Sequence, residues 1–304
     1  MPTLRTLLDR QGRELDRLTD EQAEQALRIF DTARRELVER LDAELARRPD
    51  PHFTAFEMQR TLALVEQAIG TLQARLGVHV DAATEAARRA SLGHLQAVVA
   101  LQDPDMAMVG GDLNLEVLAR LSADGGTLMH RYSVQRYGAA VVNSIQGHLV
   151  QGVAQRLTWV QLRERVFARE GAMAGIGRAR AELIVRNEMS NAYNGAHLAG
   201  IRAHAARDPA DAEDPLQVKI SEYLDRRSHP ISWVLDGQTR QPDGKPFRAR
   251  IADVQARAAM LGKKLNGVLW RREGAFFVGE NLPAHHWERG RVHAWRDSWS
   301  MDDD

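Results

Sequence analysis

Apolar residues fall at helical spacing from Leu4 to about residue 205. Leu4, Leu7, Leu8, Leu15 and Leu18 form one stripe, and Leu27, Phe30, Leu37, Leu41 and Leu45 form the next, the pattern of helices that bury one face. Between the two sets Thr19 stands three residues before Gln22, the spacing of a capping box, in which hydroxyl and amide satisfy free backbone donors reciprocally. A helix is therefore expected to restart there. It should end near Arg48, because Pro51 lacks an amide hydrogen and clashes with the carbonyl four residues back.

Further periodic stretches cover residues 55–76 and 82–101, separated by the Gly77 region and followed by Asp103, Pro104, Gly110 and Gly111, which favour helix ends. Helical hairpins are the expected packing. Another stretch covers residues 127–157, after which Thr158 and Gln161 repeat the capping-box spacing ahead of WVQLRERVFARE. Gly171, Gly175 and Gly177 then precede a last helix expected over residues 178–205. No internal repeat of fixed period and no low-complexity segment occurs. Residues 1–211 thus read as a mostly α bundle or array.

The pattern changes at ARDPADAEDP, where two prolines and four acidic residues share one short window, the composition of an exposed connection. Beyond it, β-prone pieces (LQVKISEYL, GVLWRR and AFFVG) alternate with the turn pairs Asp236-Gly237, Asp243-Gly244 and Glu273-Gly274, and one helical stretch covers residues 251–261. Five of the six tryptophans, Trp233, Trp270, Trp287, Trp295 and Trp299, also lie here. Residues 212–304 are therefore expected to form a small α+β domain.

Composition narrows the function classes. The 41 basic and 41 acidic residues of the 304-residue chain balance, so attraction to nucleic acid or membrane must come from local clustering. The absence of cysteine excludes a disulfide framework, thiolate zinc ligands and thiol nucleophiles, and suits the reducing cytoplasm or a particle assembled there. No apolar run reaches the roughly 20 residues that span a bilayer, and the charged start MPTLRTLLDRQGRELDRL lacks the apolar core of a secretory leader. A cytosolic, unprocessed chain is expected.

Three constellations carry candidate chemistry. In the last long helix Asn187, Asn191 and Asn194 project on the face that carries Leu183, Leu198 and Ile201. Amides are costly to bury unpaired, so they form either a hydrogen-bonded network or an exposed helix edge. Glu182 and Arg186, four apart, form an ordinary helix pair. The second constellation, DRRSHPISWVLDGQ, holds Asp225, His229 and Asp236; the third, NLPAHHWERGRVHAW, holds His285, His286, Glu288, Arg289, Arg291 and His293. Such side chains either fix turns and loop ends or serve a metal-dependent hydrolase, a nuclease for instance, through Asp236, His229, His285 and Glu288. No HExxH, GxSxG or GxxxxGK[ST] motif supports a protease, esterase or nucleotide-phosphate site. Residues 245–272 add a basic run of Lys245, Arg248, Arg250, Arg257, Lys263, Lys264, Arg271 and Arg272 against Asp253 alone. With Trp270 adjacent, it is either a solvated basic face or a weak, sequence-independent DNA contact.

The helix reading AELIVRNEMSNAYNGAH, followed by DRRSHPISWVLDGQ with a downstream PF and then NLPAHHWERGRV, resembles the phage head morphogenesis family, the Mu F-like minor capsid proteins of tailed phages. The likeness is concentrated in residues 178–295. Arg186 and Glu188 fall on the family's Arg-x-Glu, and Asn194 on a polar position that follows a tyrosine-like residue. Asp225, His229, Asp236 and Gly237 fall on its Leu-Asp-Gly segment, and His285, Arg289 and Arg291 on its closing His/Arg-rich segment. The resemblance implies a non-catalytic minor head protein at the portal vertex, acting in procapsid assembly and in DNA packaging or delivery. Its implied partners are the portal protein, inner capsid components and DNA rather than a membrane, and its implied location is the virion head, with the host cytoplasm during assembly. Many members carry four cysteines in a zinc-like pattern where this chain has His229, Ser232, Glu288 and Gly290. No metal or other cofactor is therefore expected, and the polar residues should instead form a hydrogen-bonded clasp in which Asp236 orients an imidazole and Arg289 pairs with a carboxylate.

Overall fold

Helices dominate the first two thirds of the chain: α1 (Leu4–Leu45), α2 (Ala55–Gln102), α3 (Pro104–Ala123), α4 (Leu128–Ala154), α5 (Trp159–Phe167) and α6 (Ala172–Arg207). The computed structural model describes residues 3–45, 52–123, 128–168, 171–207, 214–221, 230–243, 247–263, 271–272, 275–278 and 291–299. A helical N-terminal region followed by a small α+β C-terminal domain is thus the architecture.

Several expected breaks are absent, for one physical reason. α1 runs through Thr19–Gln22 because buried Leu15, Ala23, Ala26 and Phe30 keep a single apolar face in phase across the gap, and alanine is the strongest helix former. Likewise α2 runs through Gly77: Leu72, Leu76, Val80, Ala83 and Ala87 are all buried on one stripe. One mid-helix glycine costs about 1 kcal/mol, less than burying even two of those side chains returns at roughly 1.5–3 kcal/mol each. The break expected after residue 101 does form: α2 ends at Gln102 and Pro104 starts α3, the first helical position being where a missing amide hydrogen costs nothing. α6 begins six residues before the expected Arg178 and takes in Gly175 and Gly177. Gly177 is where the Phe30 ring lies so close that a side chain would collide with it. The Thr158 capping box forms as expected, with both reciprocal bonds present at the start of α5.

The remaining elements are β1 (Gln217–Ser221), α7 (Pro230–Leu235), β2 (Thr239–Arg240), β3 (Phe247–Arg250), α8 (Ile251–Met260), β4 (Arg271–Arg272), β5 (Ala275–Val278) and β6 (Arg291–Trp295). They form two antiparallel three-stranded sheets, in the orders β2-β1-β6 and β3-β5-β4. The three β-prone pieces hold β1, β4 and β5. PISWVL, read beforehand only as part of a motif, is helix α7.

The chain divides into two compact units. Unit 1 comprises Met1–Leu18, Thr84–Gly126 and Asn187–Asp304; unit 2 comprises Thr19–Ala83 and Thr127–Arg186. In unit 2 the buried stripes are Phe30, Leu37 and Leu41 of α1, Val65, Ile69 and Leu72 of α2, Tyr137, Val141 and Ile145 of α4, and Leu162 and Val166 of α5. In unit 1 one core joins Leu4 and Leu7 of α1, Leu95, Val98 and Val99 of α2, and Leu198 and Ile201 of α6 to the α+β segment. That segment contributes Val218 and Ile220 of β1, Ile231 and Leu235 of α7, and Val292 and Ala294 of β6. Val218 pairs with Ala294 and Ile220 with Val292, so the alternation of β1 points one row of side chains into this core. Among the described residues no helix is long and apolar enough to cross a membrane.

Candidate functional site: a buried polar cluster in unit 1

The apolar stripe of α6 is interrupted by polar side chains at Tyr193, Asn194 and His197, all buried. Polar groups survive in a core when they are paired, and here the partners come from three other elements. Ser91 and His94, one turn apart on α2, face them. The Ser91 hydroxyl donates to the Tyr193 carbonyl at 2.7 Å and lies 3.2 Å from His197 Nδ1. His197 Nδ1 is also 3.2 Å from the Ser91 carbonyl, which fixes the neutral tautomer with the proton on Nδ1 and leaves Nε2 as a bare acceptor.

His94 extends the chain of contacts toward α1. Its Nδ1 is 2.8 Å from the Tyr193 hydroxyl and its Nε2 is 3.3 Å from Glu14 Oε2, while Gln11 Nε2 donates to the His94 carbonyl at 3.0 Å. The rings meet in series: His94 edge-to-face with Tyr193 at 5.7 Å, Tyr193 stacked on His197 at 5.8 Å, and His197 edge-to-face with His293 at 6.0 Å. His293 comes from β6, an edge strand of its sheet. An edge strand exposes unpaired amides, and α6 covers this one: Val292 N–H donates to Asn194 Oδ1 at 3.1 Å. Next along β6, Arg291 donates to the Gly12 carbonyl at 3.0 Å and to Asp16 at 2.8 Å on α1.

Burial sets the protonation states. His197 is pushed down to about 3, chiefly by burial and further by the His94 and His204 charges, against the opposing Ser91 bond. His293 lies well below the ordinary histidine value, first from burial and then from His197, Arg291 and Lys219. His94 is lowered by burial, with Glu14 opposing. The Tyr193 hydroxyl is raised by burial, so at neutral pH the cluster is a set of uncharged rings. His197 Nε2 and His293 Nδ1 have no hydrogen-bond partner among the described residues.

The sequence-predicted residues are distributed unevenly around this cluster. Asn194 is central to it, Asn187 is half-buried and Asn191 is exposed, so the three asparagines divide between network and helix edge. Arg186 belongs to unit 2, where it pairs with Glu182 at 2.9 Å and Asp20 at 2.7 Å; Glu188 is half-buried in unit 1. Asp236 and Gly237 form the exposed turn that closes α7. Gly237 adopts φ +78°, which glycine alone tolerates readily, and its N–H donates to the Ile220 carbonyl at 2.9 Å, joining the turn to β1. Arg291 pairs with α1 as described. Asp225, His229, His285, His286, Glu288, Arg289, Lys245 and Lys264 lie outside the described residues, as do the side chains of Arg248, Arg271 and Arg272. Of the basic run, Arg250 pairs with Asp253 at 2.7 Å and Arg257 sits over the Trp233 ring at 5.5 Å. Lys263 closes the end of α8 with its backbone N–H on the Ala258 carbonyl. Among the described residues no group of three histidines or carboxylates could hold a metal ion.

Ser91, His94, Tyr193 and His197 were not singled out by sequence. Their signal was present as Ser91 and His94 at i, i+3 and Tyr193 and His197 at i, i+4 within apolar stripes, but their mutual pairing spans about a hundred residues. Comparison with protein-family models, curated proteins and solved structures finds no match.

Proposed function

We propose that this chain is a minor head protein of a tailed phage, acting without catalysis in procapsid assembly at the portal vertex and in DNA packaging or delivery. Its helical part binds the portal or an inner capsid component, and its small C-terminal part contacts DNA or a second assembly partner. The supporting observation is the joint between motif segments. Asn194 of the helix motif holds the backbone of Val292 beside the closing motif, and Gly237 of the Leu-Asp-Gly motif bonds to β1, which pairs with β6. Residues that carry the resemblance are thus used as fasteners between elements, as expected of a protein whose work is to hold a shape. The Ser91 hydroxyl, which meets an imidazole, is buried and donates to a backbone carbonyl, so it presents no nucleophile to solvent.

Deletion of the gene from the phage that encodes it tests the role. The expected result is particles that are misassembled or fail to deliver DNA, restored by the intact chain supplied in trans. Normal yields of infectious particles would overturn it, and divalent-metal-dependent DNA cleavage lost in Asp236→Ala would replace it with a hydrolytic role.

A further inference from the structure

All the buried histidines among the described residues, His94, His197, His204 and His293, lie in unit 1. His197 and His293 are the innermost pair, edge-to-face at 6.0 Å, one from α6 and one from β6. The charged groups that face them are mostly cationic. β6 brings Arg291, β1 brings Lys219 directly opposite His293 in register, α2 brings His94, and α6 brings His204. The carboxylates of α1 are already engaged, Glu14 with His94 and Asp16 with Arg291, and Asp236 and Asp297 act on Lys219. An imidazolium formed here would therefore have lost its water and gained cations as neighbours.

We propose that His197 and His293 form an acid-released clasp: as neutral rings they hold β6 against α6, and on protonation they open unit 1 while unit 2 stays folded. The strongly lowered proton affinity of both rings in the closed form supports this. Opening restores the ordinary value near 6.5, so the open form takes up two protons that the closed form refuses. Each pH unit below about 6 then lowers the closed-to-open ratio by up to about a hundredfold. Among the described residues unit 2 has no comparable pair, its His52, His79 and His148 being outside the buried set. The clasp does not depend on the assembly role proposed above.

Hydrogen–deuterium exchange of the full chain at pH 7.5, 6, 5 and 4.5, corrected for intrinsic rates, tests it. Peptides from residues 187–205, 214–221 and 291–299 are expected to lose protection steeply below pH 6, while those from residues 55–80 and 159–167 keep theirs. Joint loss in both units, or full protection of unit 1 at pH 4.5, would overturn the clasp. In the double variant His197→Gln, His293→Gln the acid-induced opening between pH 7.5 and 5 should shrink at least tenfold; an unchanged profile would also overturn it. Should that variant not fold, exchange at the imidazole C2 position in the unmodified chain decides. Titration of both rings below pH 6 together with the loss of unit 1 protection supports the clasp, and a midpoint of 6 to 7 at either ring while unit 1 stays protected contradicts it.

Discussion

Asn194 Oδ1 on α6 accepts the backbone N–H of Val292 on β6 at 3.1 Å, with both residues buried. One side chain therefore satisfies an amide on the open edge of a sheet. Asn194→Ala leaves the Val292 donor without a partner, which costs about 1–3 kcal/mol, whereas Asn191→Ala at the exposed position should stay within about 0.5 kcal/mol. Chemical denaturation of the two variants checks this; equal effects would remove Asn194 from its structural role.

Stability should depend on pH in a definite direction. His197 and His293 have folded-state values below the unfolded one, so the unfolded chain binds more protons at acid pH. The stability they contribute is fully present above about pH 6.5 and is lost as pH falls toward the folded-state values, by up to about 1.4 kcal/mol per pH unit for each ring. Urea midpoints should be nearly flat from pH 7 to 8.5 and fall between pH 6.5 and 5. A midpoint that rises on acidification would contradict the buried neutral pair.

Two glycines of α6 should respond with opposite signs. A side chain at Gly177 would meet the Phe30 ring, whereas the exposed Gly175 has open space around it. Gly177→Ala should destabilise by about 1–3 kcal/mol through overpacking, and Gly175→Ala should stabilise by up to about 1 kcal/mol through helix propensity. Thermal melts of the two variants give the comparison, and a shift of the same sign in both would show that the α1–α6 contact in unit 2 is misplaced.

The strength of the apolar pattern decided what was legible in the sequence. The helical character of residues 4–205, the Thr158 cap and the strands β1, β4 and β5 all follow from local spacing. The breaks expected at Thr19 and Gly77 failed because local cues compete with stripes of buried side chains, and a cap or a glycine worth about 1 kcal/mol yields to several buried groups. Asn194 was visible as a polar residue in an apolar stripe. His94 and Ser91 were equally polar and equally striped, but their partners, Tyr193 and His197, are distant in the chain, and no periodicity reports a tertiary pair. The basic run shows the converse: charge counting marked Arg250 and Arg257, and the structure gives both an internal contact.

DNA affinity of the full chain should be weak, independent of sequence and steeply salt-dependent, because phosphate contacts release counterions. Asp253 lies beside Arg250 at 2.7 Å and opposes a phosphate there, so the slope of log affinity against log salt should be shallower than eight contacts would give. Filter binding between 50 and 200 mM salt measures it; salt-insensitive binding, or none at 50 mM, would confine the partners to protein.

Association with the portal tests the proposed role most directly. The full chain is mixed with the portal ring that the proposed role assigns to it as partner, and sedimentation velocity is recorded at neutral pH. A minor head protein of the portal vertex should co-sediment with the ring at a fixed stoichiometry. A chain that sediments alone across the whole range of portal concentration would contradict portal-vertex assembly.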